Sequence, residues 1–170
     1  MNARVKIKLF GMDVDGVLTD AGIYLGNSGQ ELKRFNAHDG MGITLLIRSG
    51  IVPFIITGRT SEAVARRAGE LSIAEVYQGA KRKEECLEDI ASRLGADLSE
   101  IAYVGDDIAD MPVLKRVGLP IAVGDAVAEV REAAKYVTEA RGGNGAVREA
   151  CEHVIRLNGH QGPFYSLLEE

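Results

Sequence analysis

Leu9-Phe10-Gly11-Met12-Asp13-Val14-Asp15-Gly16-Val17-Leu18-Thr19 is the stretch on which the fold turns. An apolar run from Val5 to Met12, interrupted by Lys6 and Lys8, ends in two carboxylates one residue apart and then glycine. Such a run is a buried strand. Asp13 and Asp15 then stand at its C-terminal edge, where open α/β sheets bind their ligands. Residues two apart point the same way from an extended backbone, so both carboxylates can face one ligand. Anions that close repel unless a cation lies between them or one holds a proton. A hard divalent ion such as Mg²⁺ answers that repulsion. A solvated Asp-Gly turn is the plainer alternative, and the rest of the chain decides between the two.

The 170 residues suit one domain with a full core, and 46% hydrophobic and 26% charged residues are ordinary for a globular protein. A net charge of −5 and the lack of any Lys/Arg block oppose a nucleic-acid surface. No apolar leader and no stretch of membrane-spanning length is visible. Cys86 and Cys151 lie in helix-like segments far from any CxxC pattern. They read as reduced, buried and structural, which suits the cytoplasm.

Downstream, Gly26-Asn27-Ser28-Gly29 separates two short runs and predicts a β-hairpin over about 22–36, lying above the edge where Asp13 and Asp15 emerge. Its apolar Ile23 and Leu25 predict an oligomer contact. Asp39 is expected to cap a helix through Ile43, Leu46 and Ile47 that ends at Gly50. Ile51–Ile56 reads as a second buried strand ending in Thr57-Gly58-Arg59. A helix with Val64, Ala68 and Leu71 on one face follows, then a short strand at 74–77 and a helix over 81–94. Ile101-Ala102-Tyr103-Val104 is another strand, running into Gly105-Asp106-Asp107-Ile108-Ala109-Asp110. Strands at 119–123 and 136–137 and a final helix over 146–157 complete an alternation of strand and helix. That alternation points to a parallel, doubly wound sheet. Residues 1–158 form the domain, and the tail, 159–170, is expected to fray or to dock elsewhere, for instance on a neighbouring subunit.

In a parallel sheet the polar strand ends meet at one rim. Asp13 and Asp106 would share Mg²⁺. Thr57, the backbone N–H groups after it, and Lys83 would neutralise the oxygens of a phosphate. Asp13 would attack phosphorus, and Asp15 would protonate the leaving alkoxide and later deprotonate water. Arg59 and Arg67 near the rim suit a substrate carboxylate, which guanidinium binds bidentately. A signalling receiver domain also combines acids, Thr and Lys on a parallel sheet. It places its acceptor Asp on a middle strand and its Lys last, however, so the order seen here excludes it.

These motifs, Asp13-Val14-Asp15-Gly16, Thr57-Gly58-Arg59, Lys83 and Gly105 to Asp110, resemble the four motifs of the haloacid dehalogenase superfamily. Asp13 to Asp20, Gly22-Ile23-Tyr24, Phe35-Asn36, Asp39-Gly40 and Gly142 to Glu149 are similar to its 3-deoxy-D-manno-octulosonate 8-phosphate phosphatases, up to about Asn158. The resemblance implies a Rossmann-like, capless homotetrameric phosphatase of a sugar-acid phosphate, serving lipopolysaccharide precursor synthesis. It implies Asp13 as nucleophile and Asp15 as acid/base. Mg²⁺ would sit on Asp13, the Asp15 carbonyl and Asp106, supported by Asp107 and Asp110. Substrate contacts map to Asn36, Ala37, His38, Asp39, Gly40, Thr44, Arg59, Arg67 and Lys83, with Asp15. Thr44 departs from the basic residue expected there, which leaves open a nine-carbon sugar-acid phosphate, whereas Arg59 favours the octulosonate. An inactive homologue acting as an oligomeric partner is the alternative of another class, opposed by the intact Asp13, Asp15, Thr57, Lys83 and Asp106.

Overall fold

A computed structural model describes residues 6–169. The expected start of the first strand at Val5 lies outside them, and β1 (Leu9–Met12) begins later than the apolar run suggested. The other elements follow in chain order. They are β2 (Tyr24–Leu25), β3 (Glu31–Leu32), α1 (Ala37–Arg48), β4 (Val52–Ile56), α2 (Glu62–Glu70), β5 (Glu75–Tyr77) and α3 (Lys83–Leu94). After them come β6 (Ile101–Gly105), α4 (Met111–Leu114), β7 (Leu119–Ala122), α5 (Ala128–Ala133), β8 (Tyr136–Val137) and α6 (Ala146–Leu157). One six-stranded sheet has the order β5-β4-β1-β6-β7-β8, and each of its ladders is parallel. The chain winds from β1 to one edge, then returns to β6 and winds to the other. The crevice where winding reverses, outside the ends of β1, β4 and β6, is where this topology binds ligands.

β1 is central because every residue of it is buried and apolar. Its one small residue, Gly11, is in register with Phe54 on one side and Tyr103 on the other. Both rings lean over it, their centroids 6.3 Å apart. A Cβ at Gly11 would lie 2.2 Å from Phe54 Cζ and 2.5 Å from Tyr103 Cδ2. The glycine lets two aromatic neighbours roof the strand that carries the nucleophile candidate.

β2 and β3 form an antiparallel hairpin outside the main sheet, rooted by a bridge between Thr19 and Phe35. Ile23, Tyr24, Leu25 and Leu32 are exposed on it. α1 is capped by Asn36, whose Oδ1 accepts from His38 N at 2.8 Å, not by Asp39. Asp39 is buried in the first turn and accepts from Arg148 N at 2.8 Å and Gly145 N at 3.3 Å. It therefore caps the neighbouring α6, whose own N-cap, Gly145, has no side chain to offer. α3 starts at Lys83, two residues after the expected Lys81, with Arg82 in the extended conformation before it.

Two further expectations are corrected. Cys151 is buried, but Cys86 is only partly so; both are free thiols. The tail docks on its own chain: residues Phe164–Leu168 form a short 3₁₀ turn against α1, with Leu167 buried. Arg156 stacks over the Phe164 ring at 4.2 Å and donates to Gly162 O at 2.7 Å, which ties the tail to α6.

Gly11→Ala should lower the free energy of unfolding by about 1–3 kcal/mol, read from a urea midpoint, because the rings on both sides must give way. Combining it with Phe54→Leu should recover part of that loss. An unchanged midpoint for the single variant would remove the steric role given to Gly11.

Candidate active site

β1 ends at Met12, but its ladder reaches one residue further through Asp13 N to Val104 O, 3.1 Å. The chain then turns. Asp15 therefore lies in a turn, not in a strand as the two-residue alternation supposed, and the two carboxylates reach the rim by different routes. The turn is closed by Thr19, whose hydroxyl donates to Val14 O at 3.3 Å and accepts from Gly16 N at 3.4 Å. Gly16, at φ +86°, leaves space that Asp106 uses: a Cβ there would lie 2.0 Å from Asp106 Oδ2. The Gly142–Gly145 segment braces this turn from outside. Gly143 N donates to Val17 O at 2.9 Å, and a Cβ on Gly142 would fall 1.7 Å from Gly16 O.

A cavity of about 280 Å³ opens here, lined by Asp13, Asp15, Ala21, Thr57, Gly58, Arg59, Lys83, Asp106, Asp107 and Ala109. At its floor the Lys83 ammonium lies 2.8 Å from Asp13 Oδ2 and 2.8 Å from Asp110 Oδ1. All three are buried. Asp110 also accepts from Tyr103 Oη at 3.1 Å and, through Oδ2, from Asp106 N at 3.1 Å. Asp13 Oδ1 accepts from Val14 N at 2.7 Å.

Charge is unbalanced at this floor. Burial, with Asp110 beside it, raises the Asp13 carboxyl to about 6 despite the opposing pull of Lys83. Burial, then Asp110, Asp13 and Asp107, push Asp106 up to about 8. Burial disfavours the Lys83 ammonium, but Asp110 and Asp13 outweigh it and its pKa rises. One buried cation thus faces three carboxylates.

Oxygens of Asp13, Asp106 and Asp110 lie within 4.8 Å of one another. Both Asp110 oxygens are committed to Lys83, Tyr103 and the Asp106 N–H. Asp106 Oδ1 is buried with no hydrogen-bond partner, the only such side-chain atom among the described residues. An orphaned carboxylate oxygen beside a second carboxylate, in an all-oxygen donor set, fits a hard divalent cation held by Asp13 and Asp106.

The remaining expected residues are placed as follows. Asp107 lines the cavity but spends Oδ1 on Ile108 N, 2.7 Å, as the cap of a short 3₁₀ turn. The Asp15 side chain is outside the acidic cluster and pairs with Lys33 of the hairpin. Arg59 is at the cavity rim and donates to Glu31 Oε1 at 2.7 Å. Asn36, Ala37, His38, Asp39, Gly40, Thr44 and Arg67 do not line this cavity. Thr44 donates to Gly40 O at 3.2 Å and lines a separate depression with Ile47, Arg48 and Glu70. Arg67 packs against Gly40 and pairs with Glu70 at 3.1 Å. The sequence did not single out Tyr103, Lys33 or Glu31. Tyr103 had a signal, since a hydroxyl inside an apolar strand needs a buried partner. Lys33 and Glu31 had none beyond membership of the hairpin.

Residues 55–149 match the family model of haloacid dehalogenase-like hydrolases. The 3-deoxy-D-manno-octulosonate 8-phosphate phosphatase of Salmonella typhi is 44% identical over 159 residues, covering 94% of this chain and 85% of the relative. That of Escherichia coli K12 is 45% identical, covering 90% and 81%. The crystal structure of the Moraxella catarrhalis phosphatase of that name, in complex with magnesium, phosphate and KDO, superposes with a TM-score of 0.90 at 41% identity, covering 96% and 92%. The Yersinia pestis structure gives 0.89 at 43%, covering 91% and 84%. At these identities and coverages the chain belongs to the haloacid dehalogenase-like hydrolases and, within them, to the 3-deoxy-D-manno-octulosonate 8-phosphate phosphatase family.

Proposed function

We propose that this protein is a Mg²⁺-dependent phosphomonoesterase that hydrolyses 3-deoxy-D-manno-octulosonate 8-phosphate, in lipopolysaccharide precursor synthesis. The observation that carries the reading is the Asp13 carboxylate held by buried Lys83, with the unpartnered Asp106 oxygen beside it.

Asp13 and Asp106 would hold the ion, which when bound supplies positive charge against the phosphate and the two carboxylates. Lys83 fixes Asp13 through Oδ2 and places an ammonium at the cavity floor, where non-bridging phosphate oxygens gather charge. Thr57 and Gly58, just after β4, also line the cavity and would orient the phosphate. Asp13 attacks phosphorus as the bond to the sugar oxygen breaks, giving an aspartyl-phosphate. Asp15 gives its proton to that oxygen, then takes one from the water that frees Asp13.

Arg59, with an exposed guanidinium on the rim, is the group of this chain best placed for the sugar carboxylate. Thr44, whose identity left a nine-carbon substrate open, lies outside the chain's own cavity. Like Thr44, Asn36–Gly40 and Arg67 do not line that cavity, so a contribution of theirs to a substrate would be made across subunits of a homotetramer. The exposed apolar hairpin supports that assembly. Two free thiols support a cytoplasmic location.

Phosphate release from octulosonate 8-phosphate should require Mg²⁺, stop with chelator, and exceed that from a nine-carbon sugar-acid 9-phosphate in kcat/KM. Asp13→Asn should lower it on the order of 10⁴-fold or more with an unchanged fold. Absence of Mg²⁺-dependent release from either ester would overturn the reading.

Metal-free protein should lose stability as pH rises from about 4 to about 8. Asp13 and Asp106 have folded-state values above their ordinary one, so ionising them costs more folded than unfolded. Their contribution is fully present below the unfolded value and is lost as pH climbs through the folded one. Mg²⁺ should therefore raise Tm more at pH 8 than at pH 5.5. Asp106→Asn should raise the metal-free Tm at pH 8 by about 2–4 °C, on the order of 1 kcal/mol, and abolish the Mg²⁺ response.

A further inference from the structure

The hairpin sorts its side chains the wrong way round for a surface flap. Leu25 and Leu32 are 74% and 63% exposed, while the side chain of Lys33 is 2% exposed. An ammonium is among the last groups to be buried unless it is paired. Lys33 Nζ is paired, in close contact with Asp15 Oδ1 and 3.6 Å from Glu31 Oε1. Glu31 Oε1 in turn accepts from Arg59 Nη2 at 2.7 Å, and Arg59 Nε lies 3.9 Å from Asp15 Oδ2. One oxygen of Asp15 is thus held tightly from the hairpin, and the other is left with only a loose neighbour inside the cavity.

We propose that Lys33 is a positioning residue for Asp15. By holding Oδ1 it presents Oδ2 as the oxygen that exchanges a proton with the leaving group and then with water, and it ties that oxygen to the seating of the hairpin. The proposal rests on the phosphatase reading given above. The Lys33 contact occupies Oδ1 and leaves Oδ2, on the cavity side, with Arg59 Nε at 3.9 Å as its neighbour.

The steps balance. An Asp13 oxygen bonds to phosphorus as the phosphorus–sugar oxygen bond breaks, and the proton on Asp15 Oδ2 passes to the departing oxygen, giving a neutral alcohol. Water oxygen then bonds to phosphorus as the phosphorus–Asp13 bond breaks, and a water proton returns to Asp15 Oδ2.

The leaving group separates this role from a structural one. A nitrophenolate departs without a proton, whereas a sugar alkoxide does not, and kcat/KM reports only the steps up to the first departure. In the Mg²⁺-loaded enzyme, Lys33→Met should lower kcat/KM for octulosonate 8-phosphate about 10–100-fold, within what a general acid supplies. It should leave kcat/KM for p-nitrophenyl phosphate within about 3-fold. Asp15→Asn should lose at least as much on octulosonate 8-phosphate, the double variant should fall no further than Asp15→Asn, and Lys33→Arg should recover part of the loss. Lys33→Gln, shorter and uncharged, repeats the comparison should methionine disturb the hairpin. Equal losses on both esters, or no loss on either, overturn the role of Lys33 while the phosphatase reading stands. A wild-type enzyme inactive on both esters overturns the two together.

Discussion

The structure depends on one buried ammonium. Lys83 sits between Asp13 and Asp110 at the end of the central strand, where three carboxylates converge below the surface. Without it, burial and mutual repulsion would drive protons onto the acids. Its placement is over-determined. α3 begins at Lys83 itself, Asp110 is fixed from three directions, and Tyr103 reaches Asp110 only because Gly11 lets its ring cross β1. A glycine in a strand and a tyrosine in its neighbour are thereby part of how a lysine two elements away is aimed.

The same economy appears around the turn after β1. Gly16 makes space for Asp106, and the Gly142–Gly145 segment lies backbone to backbone on that turn, closer than any side chain would allow. The following helix is capped from α1 by Asp39. The site is therefore held from both ends of the chain, and α6 contributes to it by bracing the turn and not by contacting the cavity.

Elements with a local cause were legible in the sequence. Buried strands announce themselves by apolar runs, and Asp13, Thr57, Lys83 and Asp106 could be brought to one rim because each follows such a run in a sheet that must be parallel. The residues that escaped are those whose role is set by partners distant in sequence. Asp39 has the chemistry of a cap for its own helix, yet the helix it caps begins more than a hundred residues later. Tyr103 looks like core until its hydroxyl is traced to Asp110. The tail, with two Gly, one Pro and scattered apolar residues, gave no periodicity from which docking on α1 could be inferred; burial of Leu167 against the body and Arg156 of α6 over Phe164 hold it there. Alternation along a strand predicted that Asp13 and Asp15 share a face; they share a cavity, but a turn brings Asp15 there.

That turn is what separates the two acids. Asp13 is buried against Lys83, its two oxygens held by Lys83 and the Val14 N–H, while Asp15 swings to the hairpin and Lys33. Carboxylates two residues apart in one strand would compete for a single cation and titrate as a pair. Here each has its own lysine, from opposite sides of the cavity and from different elements. The cations of the chain are thus spent on fixing the acids, and the one buried carboxylate oxygen left unmatched among the described residues, Asp106 Oδ1, is where charge from outside the chain has to enter. The divalent ion is in this sense a consequence of how the lysines are distributed, and Asp15 is set apart from the cluster that would hold it.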